Sequence, residues 1–268
     1  MDSALDLSDP SSALDLNNIR FQLIRLEDTV LFHLIERVQF PLNSTIYKKG
    51  AIPIPHSKLS FSDWVLRETE VVQSKIRRYQ SPDEYPFFQD AISELILPPL
   101  KYPKILWDND VNLNDELRRR YVQEILPAAC AEPSRPERAQ EAQENYGSSA
   151  TADVACLQSL SRRIHFGKFV AESKFQQETE RFVKLIKAED RAGIDEAITN
   201  QKVEEQVLER LRKKALTYGV DPAFNSMDGA GKVNVQAVVD MYKNVVIPLT
   251  KVIEVEYLMQ RLKGTKWE

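Results

Sequence analysis

Glycine is scarce in this chain, 8 residues of 268, less than half the usual share of about 7%. Folds built from many tight hairpins, and loops that cradle phosphate, need more of the one residue that enters left-handed backbone freely, so a helix-rich chain is the simplest consequence. Cysteine is scarcer still. Cys130 and Cys156 are too few for a disulfide scaffold and too far apart for a CxxC metal knuckle, which makes a reducing compartment the default. His33, His56 and His165 are the only histidines, without the i,i+4 spacing that two metal ligands on one helix need. No excess of one charge exists either: 36 Lys and Arg against 40 Asp and Glu leave a net charge of -4, so the field that drives binding to nucleic acid or anionic membranes is missing. No apolar run approaches the length of a membrane span. The opening residues Met1 to Asp6 lack the basic and apolar regions of a secretory signal and are too acidic for a transit peptide, and a cytoplasmic protein is expected. GxSxG, Walker and GxGxxG motifs are all absent, which removes the common hydrolase, kinase and dinucleotide readings.

What is present is helical periodicity. Ile19, Leu23, Leu26, Val30, Leu34 and Val38 recur at steps of three and four, and predict one long amphipathic helix from about Leu16 to Phe40. After a proline-marked loop, Phe61 to Tyr79 restarts the spacing behind Ser60 or Ser62 as N-cap. Shorter helices are expected over 83–97 and over 114–126, the second ended by Pro127. An exposed loop is expected over about 128–149, where Pro133, Pro136 and many charges leave little to bury. Further helices are read over 152–174, over 181–188, behind Thr199 as a cap, and from Val235 to Lys263 with a bend at Pro248. The expected architecture is all-α, a single-domain bundle of about ten helices over 1–268, with long amphipathic helices able to pair two copies in a homodimer.

The densest polar pattern lies in Leu160 to Lys174, LSRRIHFGKFVAESK. At about 100° per residue, Arg163 and Lys174 return to nearly the same helix face some three turns apart. Two long cations leaning toward one pocket suit a dianionic small molecule, guanidinium gripping a carboxylate through two hydrogen bonds and ammonium acting as a point charge. The commoner explanation of such a run is a solvated basic face. Asn200 with Glu204, and Thr250 with Glu254, also stand at i,i+4, although pairs of this kind usually make surface hydrogen bonds. Cys156 reads as a small buried apolar side chain rather than a nucleophile.

With these residues in view, the chain resembles the fungal, allosterically regulated chorismate mutases, the all-helical class of that enzyme. The likeness rests on Asn17-Asn18-Ile19-Arg20, on Ile76 to Glu84 (IRRYQSPDE), on SLSRRIHFGKFVAESKF from Ser159 to Phe175, on Asn145 to Ser148, on Val203-Glu204-Glu205 and on Ile247 to Arg261. The resemblance implies a Claisen rearrangement of chorismate to prephenate, in phenylalanine and tyrosine biosynthesis, with no cofactor, metal or covalent intermediate. It implies that Arg20 and Arg163 clamp the two substrate carboxylates and that Lys174 donates to the ether oxygen. Glu204 would bind the ring hydroxyl, Asn200 and Thr250 would orient the substrate, and Glu254 would reach the ether oxygen from the other side. That last role requires a protonated carboxyl and hence a raised pKa. The resemblance also implies a homodimer inhibited by tyrosine and activated by tryptophan at a subunit-interface site, to which Arg77, Arg78, Asn145, Gly147, Ser148 and Thr151 correspond.

Two places depart from the family's pattern. Val252 stands where an acidic residue is expected, and a regulatory loop at about 221–235 differs, with Asn234 in place of Thr or another small polar residue; the second bears on the strength of the effector response. The alternative from another class is a catalytically inactive helical scaffold, or an effector-binding interaction protein, of the same fold.

Overall fold

The computed structural model describes residues 6–131, 140–218 and 233–268, and every regular element among them is helical. After the single turn of α1 (Pro10–Ala13), α2 (Leu16–Arg37) starts where the Asp15 carboxylate accepts the N–H groups of Asn17 and Asn18 at 2.9 and 3.1 Å. The predicted stripe is its buried face, with Ile19, Leu26, Val30 and Leu34 inside. The helix stops three residues before Phe40 because Arg37 folds back to donate to the carbonyls of Phe40, Pro41 and Leu42 at 3.2, 3.1 and 3.0 Å. Ser60 caps α3 (Phe61–Lys75), its hydroxyl accepting from Asp63 N–H at 3.2 Å.

The helix expected over 83–97 does not form; that stretch holds only a 3-10 turn, Gln89–Ala91. Pro86 interrupts it, and the fully buried Glu70 of α3 accepts the N–H groups of Phe87 and Phe88 at 2.8 and 2.9 Å, taking donors a helix would use.

Two prolines bend helices without ending them. α4 (Asn114–Arg120) passes through a π-turn at Tyr121–Ile125 into α5 (Leu126–Cys130), and Pro127 lies inside the run rather than at its end. The same device joins the last helices described below. A proline ring clashes with the carbonyl four residues back; in both places that carbonyl belongs to a wide turn, which makes room for the ring.

The helix expected over 152–174 begins six residues earlier and breaks once, giving α6 (Tyr146–His165) and α7 (Gly167–Gln177) about Phe166. The exposed loop expected over 128–149 is correspondingly shorter, bounded by Cys130 and by a 3-10 turn at Gln143–Asn145; residues 132–139 lie outside the described residues. α8 (Thr179–Lys187) and α9 (Arg191–Ile198) follow. Asn200, not Thr199, opens α10 (Gln201–Tyr218), accepting from Val203 N–H at 3.2 Å. Most of the regulatory loop expected over about 221–235, residues 221–232, lies outside the described residues. Asn234 is the N-cap of α11 (Val235–Met241), accepting from Ala237 N–H at 3.1 Å. A π-turn at Tyr242–Val246 then leads into α12 (Ile247–Gln260), so the helical run expected from Val235 continues through Pro248.

α6 is the central element, packed against α2, α3 and α12. Its Leu157, Leu160 and Ile164 join Leu31, Leu34, Tyr121 and Ile253 in the main core, while Phe175, Phe182, Tyr257 and Leu258 form a second around α7, α8 and α12. Inside the main core lies one buried polar knot: Arg37 pairs with Asp153 at 2.6 Å, and the hydroxyls of Tyr47 and Tyr121 donate to the same carboxylate at 2.7 and 2.8 Å.

Candidate active site

A cavity of about 280 Å³ opens between α2, the α6–α7 joint, α10 and α12. Arg20 reaches it from α2, Arg163 and Lys174 from either side of the joint, Asn200 and Glu204 from the start of α10, and Thr250 and Glu254 from α12. All seven positions expected to handle the substrate therefore line one space. Arg163 and Lys174 meet there although their helix is broken between them.

The cations are not equivalent. Arg163 is buried, its guanidinium 5.9 Å from the ring centre of Tyr242, and its Nε and Nη1 have no hydrogen-bond partner. Unpaired buried donors on a charged group are unfavourable until an anion supplies acceptors. Lys174 donates to the carbonyl of Ile198, which fixes its ammonium at the end of α9 and leaves two N–H bonds for a ligand. Burial lowers the Lys174 pKa from the usual lysine value, Glu254 and Glu178 oppose that, and Arg20 adds to it.

Glu254 shows the opposite shift. Burial pushes its carboxyl up to about 7, against the pull of Lys174, Arg163 and Lys251. A group half-protonated at neutral pH can donate a hydrogen bond that an ordinary carboxylate cannot. Glu204 is paired with Lys251 at 2.8 Å. Thr250 donates to the carbonyl of Val246 at 2.7 Å. Gly167 lets α12 approach closely: a Cβ there would lie 2.9 Å from Thr250 Cγ2 and 3.2 Å from Glu254 Cγ.

Glu27, Arg210 and Lys251 also line the cavity and were missed in the sequence. The signal was available, because Glu27 is two turns beyond Arg20 and Arg210 continues the face of Val203 and Val207. Arg210 grips Glu27 through two hydrogen bonds, at 2.8 and 2.7 Å, and Lys214 reaches the same carboxylate at 3.4 Å. Val252 is 44% exposed and is not among the residues around the cavity, so this departure falls outside the site.

Other polar members of the 160–174 run serve the fold. His165 accepts from Leu113 N–H at 3.1 Å on Nε2, leaving Nδ1–H to donate to Ser161 O at 2.8 Å; burial pulls its pKa down to about 3. Lys168 donates to Asn109 Oδ1 and Val111 O at 2.8 and 2.6 Å, and burial lowers it to about 7. Together they fasten 109–113 to the joint. The Cys156 thiol is buried and pushed up to about 12, which leaves it without nucleophilic character at neutral pH.

A second, more open cleft of about 640 Å³ lies between α2 and the start of α6. Gly147, Ser148 and Thr151 line it opposite His33 and Glu36. Arg78 stands near enough that its charge, after burial, lowers the His33 pKa. Asn145 adjoins the cleft as the residue before α6, with no capping bond from its side chain. Arg77 is turned elsewhere: its backbone is left-handed, φ 76°, and Nη1 donates to the carbonyl of Pro98 at 3.0 Å.

Among the described residues the chain is all-helical, and its cavity, lined by Arg20, Arg163, Lys174 and a carboxyl raised to about 7, has the charge and size to suit a small dianion. The comparisons narrow that class. The family model described as chorismate mutase type II matches residues 145–255. A chorismate mutase of Emericella nidulans is 69% identical over 268 residues, covering 100% of both chains. Among solved structures, the Aro7p chorismate mutase of Candida albicans in complex with L-Trp superposes with a TM-score of 0.91 at 45% identity, covering 97% of each chain. AtCM1, solved with tyrosine bound in its allosteric site, gives a TM-score of 0.82 at 36% identity, over 95% of this chain and 99% of that one. The chain belongs to the chorismate mutase family of this helical type.

Proposed function

We propose that this chain rearranges chorismate to prephenate in the cavity at the α6–α7 joint. The reaction is intramolecular: the ether carbon–oxygen bond breaks while a carbon–carbon bond forms, and the protein must hold the side chain over the ring and stabilise charge growing on the ether oxygen. In this reading Arg20 and Arg163 bind the two carboxylates, Lys174 and protonated Glu254 donate to the ether oxygen from opposite sides, Glu204 accepts from the ring hydroxyl, and Asn200 and Thr250 orient the ring. Each such donor contributes about 3 kcal/mol to the transition state, so two or three account for much of an enzymatic acceleration. The observation that carries the reading is the buried Arg163 guanidinium, with two unpartnered nitrogens, in one cavity with Lys174 and a carboxyl titrating at about 7. An inactive scaffold of the same fold is not favoured, because every position expected to handle the substrate lines that cavity.

The second cleft is assigned to an amino-acid effector, with tyrosine inhibiting and tryptophan activating. Gly147 and Ser148 at the start of α6 supply backbone N–H groups, and Arg78, whose charge is felt by His33 in the cleft's lining, supplies a guanidinium. Two copies pair in this reading as a cytoplasmic homodimer, for which the exposed Val72, Ile76, Ile92 and Ile96 offer an apolar face, gathered by the Ile96 N–H bond to Lys75 O at 3.0 Å. Following chorismate loss with and without each amino acid tests the whole reading. Arg163→Ala should lower kcat/KM more than a hundredfold, about 3 kcal/mol, with the fold intact by circular dichroism. Near-normal kinetics in that variant would return Arg163 to a structural role.

A further inference from the structure

Three consecutive residues after α3 grip the last turn of α6. The buried Asp83 accepts from Arg162 Nε at 2.7 Å. Glu84 accepts from Arg78 Nε and Nη2 at 3.1 and 3.0 Å through Oε2, while its Oε1 lies 3.8 Å from Arg162. Tyr85 stacks on His165 with ring centroids 4.4 Å apart. One carboxylate therefore stands between two arginines, Arg78, whose charge is felt by His33 of the second cleft, and Arg162 on the helix that carries Arg163. Arg78 spends Nε and Nη2 on Glu84, and Nη1 is left over for an incoming carboxylate. Arg162 and Arg163 point about 100° apart around the helix axis, so the turn that Asp83 holds from outside presents Arg163 to the cavity.

We propose that Glu84, with Asp83 and Arg162, is the ionic coupling between the effector cleft and the catalytic arginine. A carboxylate arriving at Arg78 competes with Glu84 for the guanidinium. Glu84 is then released toward Arg162, whose hold on the last turn of α6 sets where Arg163 points. Asp83 and Tyr85 keep that turn attached throughout, which makes the response a change of orientation rather than local unfolding. The inference rests on the effector reading of the second cleft. Because coupling between two binding sites is reciprocal, it can be read from binding alone, in either direction.

The test is calorimetric titration of the full chain with L-tyrosine and L-tryptophan, with and without a saturating, unreactive bicyclic diacid that mimics the transition state. The ratio of the two dissociation constants is the coupling factor, and in the wild type it should differ from one by at least about fivefold. Glu84→Gln and Arg162→Gln remove one charge each and leave the residues of both sites in place. They should still bind the amino acid and the diacid, with a coupling factor within about 1.5-fold of one. Arg162→Gln decides the matter alone if Glu84→Gln folds poorly or loses the amino acid. Wild type that binds neither amino acid overturns the effector reading, and the coupling with it. Wild type that binds with a factor of one, or variants that keep the wild-type factor, overturn the coupling while leaving effector binding intact.

Discussion

A carboxyl group that donates a hydrogen bond has to hold its proton, and burial lets Glu254 do so up to about pH 7. Its pKa is raised above the unfolded value of 4.5, so the stability it lends is fully present below that value and is lost as pH rises through about 7. Activity should follow the same proton. Wild-type kcat/KM is expected to fall by about tenfold per unit above pH 7, whereas Glu254→Gln, a donor at every pH, should give a flat profile from about pH 6 to 9. A glutamine variant that declines as the wild type does would move the titration to another group, with Lys174 the first to examine. Sequence spacing put Glu254 beside Thr250 on one face. Spacing alone did not carry the proton; the resemblance implied it, and its cause is the burial of the carboxyl by neighbours on other helices.

Between α6 and α7 the chain changes direction at Phe166, inside a run whose periodicity reads as one helix. The break decides how Arg163 and Lys174 share a cavity, and Gly167 decides how closely α12 brings Thr250 and Glu254 to them. Gly167→Ala would place a methyl group 2.9 Å from Thr250 Cγ2 and 3.2 Å from the Thr250 carbonyl, and backbone cannot step aside as a flexible side chain can. Overpacking of this kind destabilises by about 1–3 kcal/mol, readable in urea melts. Displacing Glu254 should also lower kcat/KM by at least about tenfold. Wild-type kinetics in Gly167→Ala would show that the α7–α12 spacing is not catalytically critical. The two π-turns before Pro127 and Pro248 belong to the same scale. A proline was visible in each sequence window, but whether it stops a helix or bends it depends on whether packing rewards the continuation; here Leu126, Ala129, Leu249 and Ile253 beyond the bends are buried.

Across the whole molecule, α2 and α6 are held in register by a buried ion pair as well as by apolar packing. Arg37 and Asp153 are both fully buried, and the hydroxyls of Tyr47 and Tyr121 complete the carboxylate's acceptors. Asp153→Ala strands the guanidinium among carbonyls and should destabilise the protein by about 3–5 kcal/mol in equilibrium unfolding. A loss under about 1 kcal/mol would mean that the Phe40, Pro41 and Leu42 carbonyls and water suffice for Arg37.

Helical periodicity, caps and the kinds of residue available for anion binding were determined by the sequence itself, because each depends on residues within a turn or two of one another. The stripe of α2, the Ser60 cap and the shared faces of Asn200 with Glu204 and Thr250 with Glu254 were all readable in that way. Spacing also paired Arg163 with Lys174, but tertiary structure alone supplied the cavity they share and turned His165 and Lys168 of the same run away to pin a distant loop. It also decided that 83–97 is not helical, since Glu70 captures its donors, and that Glu254 holds a proton near neutrality. The physical reason is range. Backbone conformation answers to near neighbours in the chain, whereas desolvation and charge pairing are summed over whatever the fold brings within a few ångströms.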